Sequence, residues 1–597
     1  MGIRGGYTFG ETIRKWFGFI IIPVLAYWIV GSVLHWAFES MGAYKSQSLG
    51  NIANLITMLA RIGIAGYAFV MIIRGGKGNA PGIAQASTIT PTGRKITQSV
   101  YTIATLTKAI PKIFLTNPFR GVLILGGAGA GKSKSIIEPI ISQTIAQNYT
   151  GFLYDFKFPA LARVALHAQQ QYHPGTSFYI VNFEDLTRSH RVNPLDPATM
   201  PTQSHADEYA RAILYNLKPD AIKKGDFWTD SAQSYLTALI WFLREEYPQF
   251  CTLPHVMALS FQPTADVVAL LSTNPETRGT IASLRESVQR KAEGQTAGVV
   301  STLQTALRRI NTKEIVWVLS GSDFNLNLND PDEPKFVTFG NSPTLSSTFA
   351  PIIALLATVA IKQMNQLNKR PSAVILDEAP TLYIPGFEQL PATGRSNGIA
   401  TVFGAQDISQ IEDMYGKSKK DAILANLNNQ FFGRVGHRET AQYIADLWGR
   451  EYVEQRTQGA SESSQSFQTS QSRSTSNSLT ERSRVRIQDV LDLHTGEFYG
   501  QLVDSNFSSF KAQIKAGESG PLPEIVPVTM VTSQDIKRNF MRIQDEIENL
   551  LRSHQGPRPS DEGGSGLTPP PAPLSPLNGQ PTSLNGQAKR PDLSLDF

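Results

Sequence analysis

The chain has 597 residues, with 55 Lys and Arg against 50 Asp and Glu, a net charge of +5 and a single cysteine, Cys251. That length excludes one small domain, and one cysteine excludes an intrachain disulfide or a cysteine-based metal cluster. So small a charge excess argues neither for nor against nucleic acid, because local patches outweigh totals. Cys251 reads as a small buried apolar residue.

The first 75 residues predict a two-helix transmembrane anchor. From Trp16 to Phe38 there is no acidic or basic residue apart from His35, and about 20 apolar residues cross a bilayer. Trp16, Trp28 and Trp36 sit in or at the edges of this run, as aromatic rings do at headgroups. A second run, Ile52 to Ile73, carries Arg61 near its middle, so either it spans with Arg61 facing a partner helix or it lies at the interface. Arg4, Arg14 and Lys15 precede the first run, and Arg74, Lys77, Arg94 and Lys95 follow the second; the positive-inside rule puts both flanks in the cytosol. The first run exceeds a signal-peptide core, and no small-residue cleavage site follows it.

After a linker over 76–118, Gly121 to Leu125 predicts a buried strand. It runs into Gly126-Gly127-Ala128-Gly129-Ala130-Gly131-Lys132-Ser133-Lys134 and an apolar helix from Ser135. Strand, G-x-x-x-x-G-K-S and helix make the phosphate-binding loop: glycines turn successive N–H groups toward an anion, Lys132 reaches outer phosphates and Ser133 offers a hydroxyl to Mg2+. Ser372 to Leu376 predicts a second buried strand ending in Asp377-Glu378, the Walker B pattern. Asp377 there holds the metal shell and Glu378 polarises the attacking water; a plain surface acidic pair is the alternative. Gly398 to Gly404 predicts a third strand, ending at Ala405-Gln406, which makes Gln406 a candidate sensor of the γ-phosphate.

Strands near Val122, Phe152, Phe178, Phe336, Val374 and Thr401 with helices between them predict an α/β fold, a RecA-type P-loop NTPase core with a mainly parallel sheet. The motor occupies 119–196 and 313–515. Between them, 197–312 predicts an all-helical insertion from the apolar spacing in 206–217, 227–247 and 297–310, with Arg290, Lys291, Arg308 and Arg309 as either phosphate contacts or a solvated face. Residues 457–483 hold ten serines and predict a disordered loop, since they lack apolar area to offset ordering entropy. Strand-like runs around Asp504-Ser505-Asn506 predict a hairpin. Residues 516–555 predict a C-terminal amphipathic helix docked on the motor, with a coil against a partner as the alternative. The tail 556–597, with nine prolines and a repeated Leu-Asn-Gly-Gln, predicts disorder.

With these motifs in place, the chain resembles the coupling proteins of type IV secretion systems, the conjugative DNA-transfer ATPases, over most of residues 1–515. Carrying the resemblance are the paired N-terminal runs, the P-loop, Tyr154-Asp155-Phe156-Lys157, Asn193-Pro194-Leu195, Leu376-Asp377-Glu378-Ala379 and Gly394-Arg395-Ser396-Asn397-Gly398-Ile399 ahead of Ala405-Gln406. Phe156-Lys157-Phe158 departs from the usual proline, lysine and glycine. The resemblance implies ATP and Mg2+ as cofactors and a homo-hexamer in the inner membrane, multi-pass, with its motor and termini in the cytoplasm. It also implies single-stranded DNA with a relaxase as cargo and the secretion channel as partner. Arg395 is implied as the arginine offered to a neighbour's ATP site, with Arg434 as its rival. Export of protein effectors, or a nucleotide-regulated membrane receptor that does not translocate, are the alternative functions.

Overall fold

The computed structural model describes residues 22–42, 46–75, 100–465, 468–517 and 520–555. The proline-rich tail, linker residues 76–99 and the start of the first apolar run lie outside them. Two compact units are present: Met1–Asn182 with Asn327–Val526, and Phe183–Leu326 with the stretch beginning at Pro527.

The first unit is built on thirteen strands: β1 (Tyr101–Ala104), β2 (Lys112–Leu115), β3 (Val122–Leu125), β4 (Thr150–Asp155), β5 (Ser177–Val181), β6 (Lys335–Gly340), β7 (Ser372–Leu376), β8 (Ile399–Ala405), β9 (Asn429–Phe432), β10 (Arg450–Gln465), β11 (Gln468–Ser483), β12 (Glu497–Gln501) and β13 (Ser509–Gln513). Nine form one sheet in the order β13-β12-β9-β3-β8-β7-β4-β6-β5. From β9 to β5 all neighbours are parallel, and β12 and β13 add an antiparallel edge. Continuous apolar runs such as VLIL and IATVFGA suit strands covered on both faces, and β3, β7 and β8 are buried at every residue. Ile136, Ile137, Ile140, Ile141 and Ile145, from the helix after β3, share one core with Leu153, Ile375, Val402, Phe431 and Phe510. Gly151 lets β4 approach β7: its φ is +120°, and a Cβ there would stand 2.0 Å from the Ala373 carbonyl oxygen. The six predicted strands are β3 to β8, and the parallel sheet is as expected.

Three features depart from expectation. The segment taken as linker contains the ribbon β1–β2, which is part of the motor unit: Tyr101 meets the Thr144 hydroxyl at 2.9 Å on the helix after β3, and Thr105 bridges to Ile514. The serine-rich stretch read as disordered is a two-stranded antiparallel ribbon, registered from Arg450↔Ser483 to Gln465↔Gln468. Its polar strands satisfy each other's backbone groups, so the argument from missing apolar area does not decide their conformation. The C-terminal helix, expected on the motor, packs within the helical unit instead.

In the N-terminal region the helices Ile22–Ser40 and Gln47–Gly75 coincide with the two apolar runs and pair with each other. Trp28, Val33, Trp36, Ile52, Leu55 and Leu59 are exposed on them. Among the described residues, the helix that is long and apolar enough to cross a bilayer is Ser346–Met364, which is mostly buried and links β6 to β7 as a core helix.

The second unit is helical. Its main helices are Gln203–Leu217, Phe227–Glu246, Leu253–Ser260, Thr264–Leu271, Glu293–Arg308, Lys313–Leu319 and Ser533–Gln555. Its boundaries exceed the expected 197–312 because Asn193 belongs to it: the Asn193 amide donates to the Cys251 carbonyl at 2.9 Å, and its oxygen accepts from Leu195 N–H. Cys251 is fully buried, and burial pushes its thiol up to about 12. Two of the four candidate phosphate contacts are engaged inside the unit: Arg290 pairs with Glu286, and Arg309 donates to the Leu217 carbonyl at 2.8 Å.

Ser533–Gln555 buries Ile543, Ile547, Leu550 and Leu551, a stripe at helical spacing, against Leu253–Ser260 and Lys313–Leu319. Periodicity identifies the stripe but not its partner, which polar pairs fix: His255 Nε2 meets Glu546 at 2.9 Å, and the Asn539 amide donates to the Ser320 hydroxyl at 2.8 Å. Burial lowers the His255 pKa below its ordinary 6.5, outweighing the opposing pull of Glu546. A depressed histidine contributes stability above its unfolded pKa and loses it as pH falls through the folded one. Acidifying below 6.5 is therefore expected to loosen this helix, read by hydrogen exchange of residues 533–555, and His255→Asn should flatten that pH dependence.

Candidate functional site

Strand β3 delivers the P-loop at the carboxyl edge of the sheet, between β8 and β9. Pairing of Leu125 with Ala405 and Phe432 sets Gln406 on one flank of Gly126 and Gly433 on the other. The loop is held from both sides: Gly126 N–H donates to the Ala405 carbonyl at 3.2 Å, and Gly127 N–H to the Arg434 carbonyl at 2.7 Å. Gly129 and Gly131 have φ of +76° and +95°, left-handed values that admit glycine and strain other residues. A turn far along the chain clamps the outer side. The Thr495 hydroxyl donates to the Gly129 carbonyl at 3.0 Å, and Gly496 N–H to the Ala130 carbonyl at 2.9 Å. After Lys132 the backbone makes one wide π-helical turn, Ser133–Ile137, before continuing as the helix Glu138–Ala146.

Lys132 is 5% exposed; its Nζ donates to the Gly126 carbonyl at 2.5 Å and lies 3.3 Å from Glu378 Oε1. A buried ammonium needs such partners. Lys134 turns outward to Glu138 at 2.8 Å, leaving its main chain to the loop. Ser133 is half-buried on the first turn. Glu378 adopts φ +52°, an uncommon conformation for a non-glycine residue, directly after the Asp377 strand tip.

Asp155 ends β4 and Asp377 directly follows the neighbouring strand β7, and Asp377 N–H donates to the Tyr154 carbonyl at 3.2 Å. Burial pushes Asp377 up to about 7, helped by the charges of Glu378 and Asp155 and opposed by Lys132 and Lys157. Burial likewise raises Asp155 to about 6, against backbone N–H groups that pull it down. Tyr154, bonded to Thr381 at 2.7 Å and to the Asn341 amide at 2.7 Å, is raised by burial too.

The fold therefore gathers Lys132, the glycine turns, Asp377 and Glu378, with Gln406 alongside. Arg395 is exposed at the opposite end of β8, about 20 Å from Gln406 along seven residues, so its own chain's site does not contain it. Arg434, the rival, sits beside the P-loop, joined through its carbonyl. In the sequence Asp155 stands in a motif that assigns it no role, and Thr495 and Gly496 carry no signal at all. Their contacts to residues some 366 positions away leave no local pattern to find. A buried amine, turned glycines and paired carboxylates suit a polyphosphate with a hard cation. Among the described residues no three His, Cys, Asp or Glu side chains converge as a metal cage, and Mg2+ ordinarily takes one or two carboxylates plus phosphate oxygens.

Comparison with known proteins agrees with this geometry. The structure is similar to the bacterial conjugative coupling protein TrwBdeltaN70 in its unbound monoclinic form, with a TM-score of 0.53 and 14% identity over 71% of this chain and 91% of that one. Similar too are TrwB in complex with ADP and Mg2+ (TM-score 0.52, 14% identity, 71% and 90% covered) and TrwB with the ATP analogue ADPNP (TM-score 0.54, 15% identity, 73% and 94% covered). At these identities the likeness establishes the RecA-like P-loop fold. Coupling protein TraD of Escherichia coli (strain K12) is 21% identical over 336 residues, 51% of this chain and 44% of TraD, so the chain matches less than half of that relative's length. The model of the family "Type IV secretory system Conjugative DNA transfer" matches residues 79–498, and the chain belongs to that family.

Proposed function

We propose that this protein is the inner-membrane coupling ATPase of a conjugative type IV secretion system, hydrolysing ATP to drive relaxase-bound single-stranded DNA toward the channel. The observation that carries the reading is Lys132 held 3.3 Å from Glu378 beside the Asp377 strand tip. TrwB solved with ADP and Mg2+ and with ADPNP supports the same ligands here.

Magnesium, bound with the triphosphate, supplies charge neutralisation on the outer phosphates. Ser133 and Asp377 would hold it, and Asp377 Oδ1, which has no hydrogen-bond partner among the described residues, suits that role. With the Gly126 and Gly127 N–H groups tied to the Ala405 and Arg434 carbonyls, the N–H groups of Ala128, Gly129 and Gly131 to Lys134 orient the phosphates, and Lys132 exchanges its Gly126 contact for an outer phosphate. Glu378 accepts a proton from the attacking water while Gln406 orients that water. Arg395, remote from its own site, is offered to the adjacent subunit of a hexamer. The apolar helices Ile22–Ser40 and Gln47–Gly75 anchor the ring with its motor in the cytoplasm; their exposed Trp28, Val33, Trp36 and Leu59 support this. Full-length protein in lipid nanodiscs should release phosphate from ATP, faster with single-stranded DNA. Turnover unchanged by DNA, combined with transfer of protein effectors in cells lacking the relaxase, would favour effector export instead.

A further inference from the structure

Asp155 is a fully buried carboxylate in a position that its structural contacts explain only by half. Its Oδ2 accepts two backbone N–H bonds, from Leu161 at 2.8 Å and Ala162 at 2.9 Å, fixing the first turn of the helix Ala160–Tyr172. Anchoring that helix uses one oxygen. Oδ1 is buried and completes no hydrogen bond among the described residues, although the Lys157 N–H also lies near enough to the carboxylate to pull its pKa down, and Oδ1 on Asp377 likewise completes none. Pairing of Tyr154 with Leu376 sets these two residues level at adjacent strand tips. Buried acceptors are nearly always satisfied, and an unpaired one calls for a water or ion. Two such carboxylate oxygens, on residues level at adjacent strand ends in the sheet that carries the P-loop, call for the same one.

We propose that Asp155 is a positioning residue of the magnesium site: its Oδ1 and that of Asp377 together accept hydrogen bonds from a water of the ion's shell, fixing Asp377 toward the nucleotide. Mg2+ keeps several waters when bound by carboxylates and phosphates, so a carboxylate behind the primary one has a donor to receive. Because Oδ2 is already tied to the backbone, Oδ1 is pre-aimed and little side-chain freedom is lost on binding. This rests on the magnesium–nucleotide reading of the site.

The test uses full-length protein in nanodiscs and fluorescent methylanthraniloyl-ADP, titrated with and without magnesium. Asp155→Asn keeps an oxygen for the Leu161 and Ala162 N–H groups while replacing the second oxygen with a donor. The magnesium concentration giving half-maximal enhancement of ADP binding is expected to rise about tenfold or more, the usual effect of losing an outer-shell partner. Magnesium-free ADP affinity and the melting temperature should stay at wild-type values. The double variant with Asp377→Asn should lose less than the two single losses combined, because both act on one water. A magnesium requirement within twofold of wild type, or strict additivity, overturns the proposal. Should Asp155→Asn melt early, Asp155→Glu, which retains charge but displaces the oxygens by a methylene, takes the same readings under the same criteria. Wild-type protein whose ADP binding ignores magnesium would remove the nucleotide reading as well; wild type that responds, with an unchanged variant, removes this inference alone.

Discussion

Lys132→Ala is expected to abolish ATP turnover and DNA transfer together, with phosphate release falling by at least about 10²–10³-fold, the scale set by deleting one preorganised charge from a phosphoryl-transfer site. The amine is buried, bonded to the Gly126 carbonyl and 3.3 Å from Glu378, so no mobile surface lysine can replace it. Removing it acts twice. It deletes the cation aimed at the outer phosphates, and it withdraws one of the charges that hold Asp377 down, so an acid already near 7 moves further toward its neutral form, a poorer partner for a cation. Phosphate release by the reconstituted variant and complementation of a transfer-deficient donor measure the two losses. Normal transfer by Lys132→Ala would refute the motor assignment.

What the sequence reveals and what it conceals separate along one physical line. The P-loop, the Asp377-Glu378 pair and strands β3 to β8 are contiguous patterns, since a buried parallel strand needs an unbroken apolar run and a phosphate cradle needs its glycines in order. Elements defined by distant partners are not legible in this way. β9, reading Asn-Gln-Phe-Phe, is polar for half its length and becomes central through pairing with β3 and β12. The Thr495–Gly496 clamp uses main-chain carbonyls of the P-loop, which no side-chain motif records. Where composition and topology disagreed, topology decided: β10 and β11 contain few apolar residues and no apolar period, yet their residues pair one for one. The C-terminal stripe was plain, but the choice between two docking surfaces depended on His255 meeting Glu546 across 291 positions. Arg395 illustrates a further limit. Its distance from its own chain's site is visible, whereas a role in trans is a property of an assembly.

Glu378→Gln is expected to separate binding from chemistry. The glutamate occupies a left-handed backbone position at φ +52°, a conformation costing about 1–3 kcal/mol that persists where surrounding structure enforces it. Here that turn brings the carboxylate back to Lys132 while Asp377 stays at the strand tip. Glutamine preserves the shape and can still accept a hydrogen bond from Lys132, so nucleotide affinity should remain within a few-fold of wild type. It cannot take the proton of an attacking water at neutral pH, and general-base loss of this kind costs about 10²–10⁴-fold in turnover. The variant should therefore retain ATP without cleaving it. If the ring is the functional unit, mixing it with wild-type protein should depress turnover beyond the simple dilution of active subunits. Equilibrium binding of an ATP analogue, paired with single-turnover hydrolysis, distinguishes the steps. Hydrolysis within about threefold of wild type would assign the proton-accepting role to another group, while equal loss of binding and hydrolysis would make Glu378 a structural partner of Lys132 rather than the base.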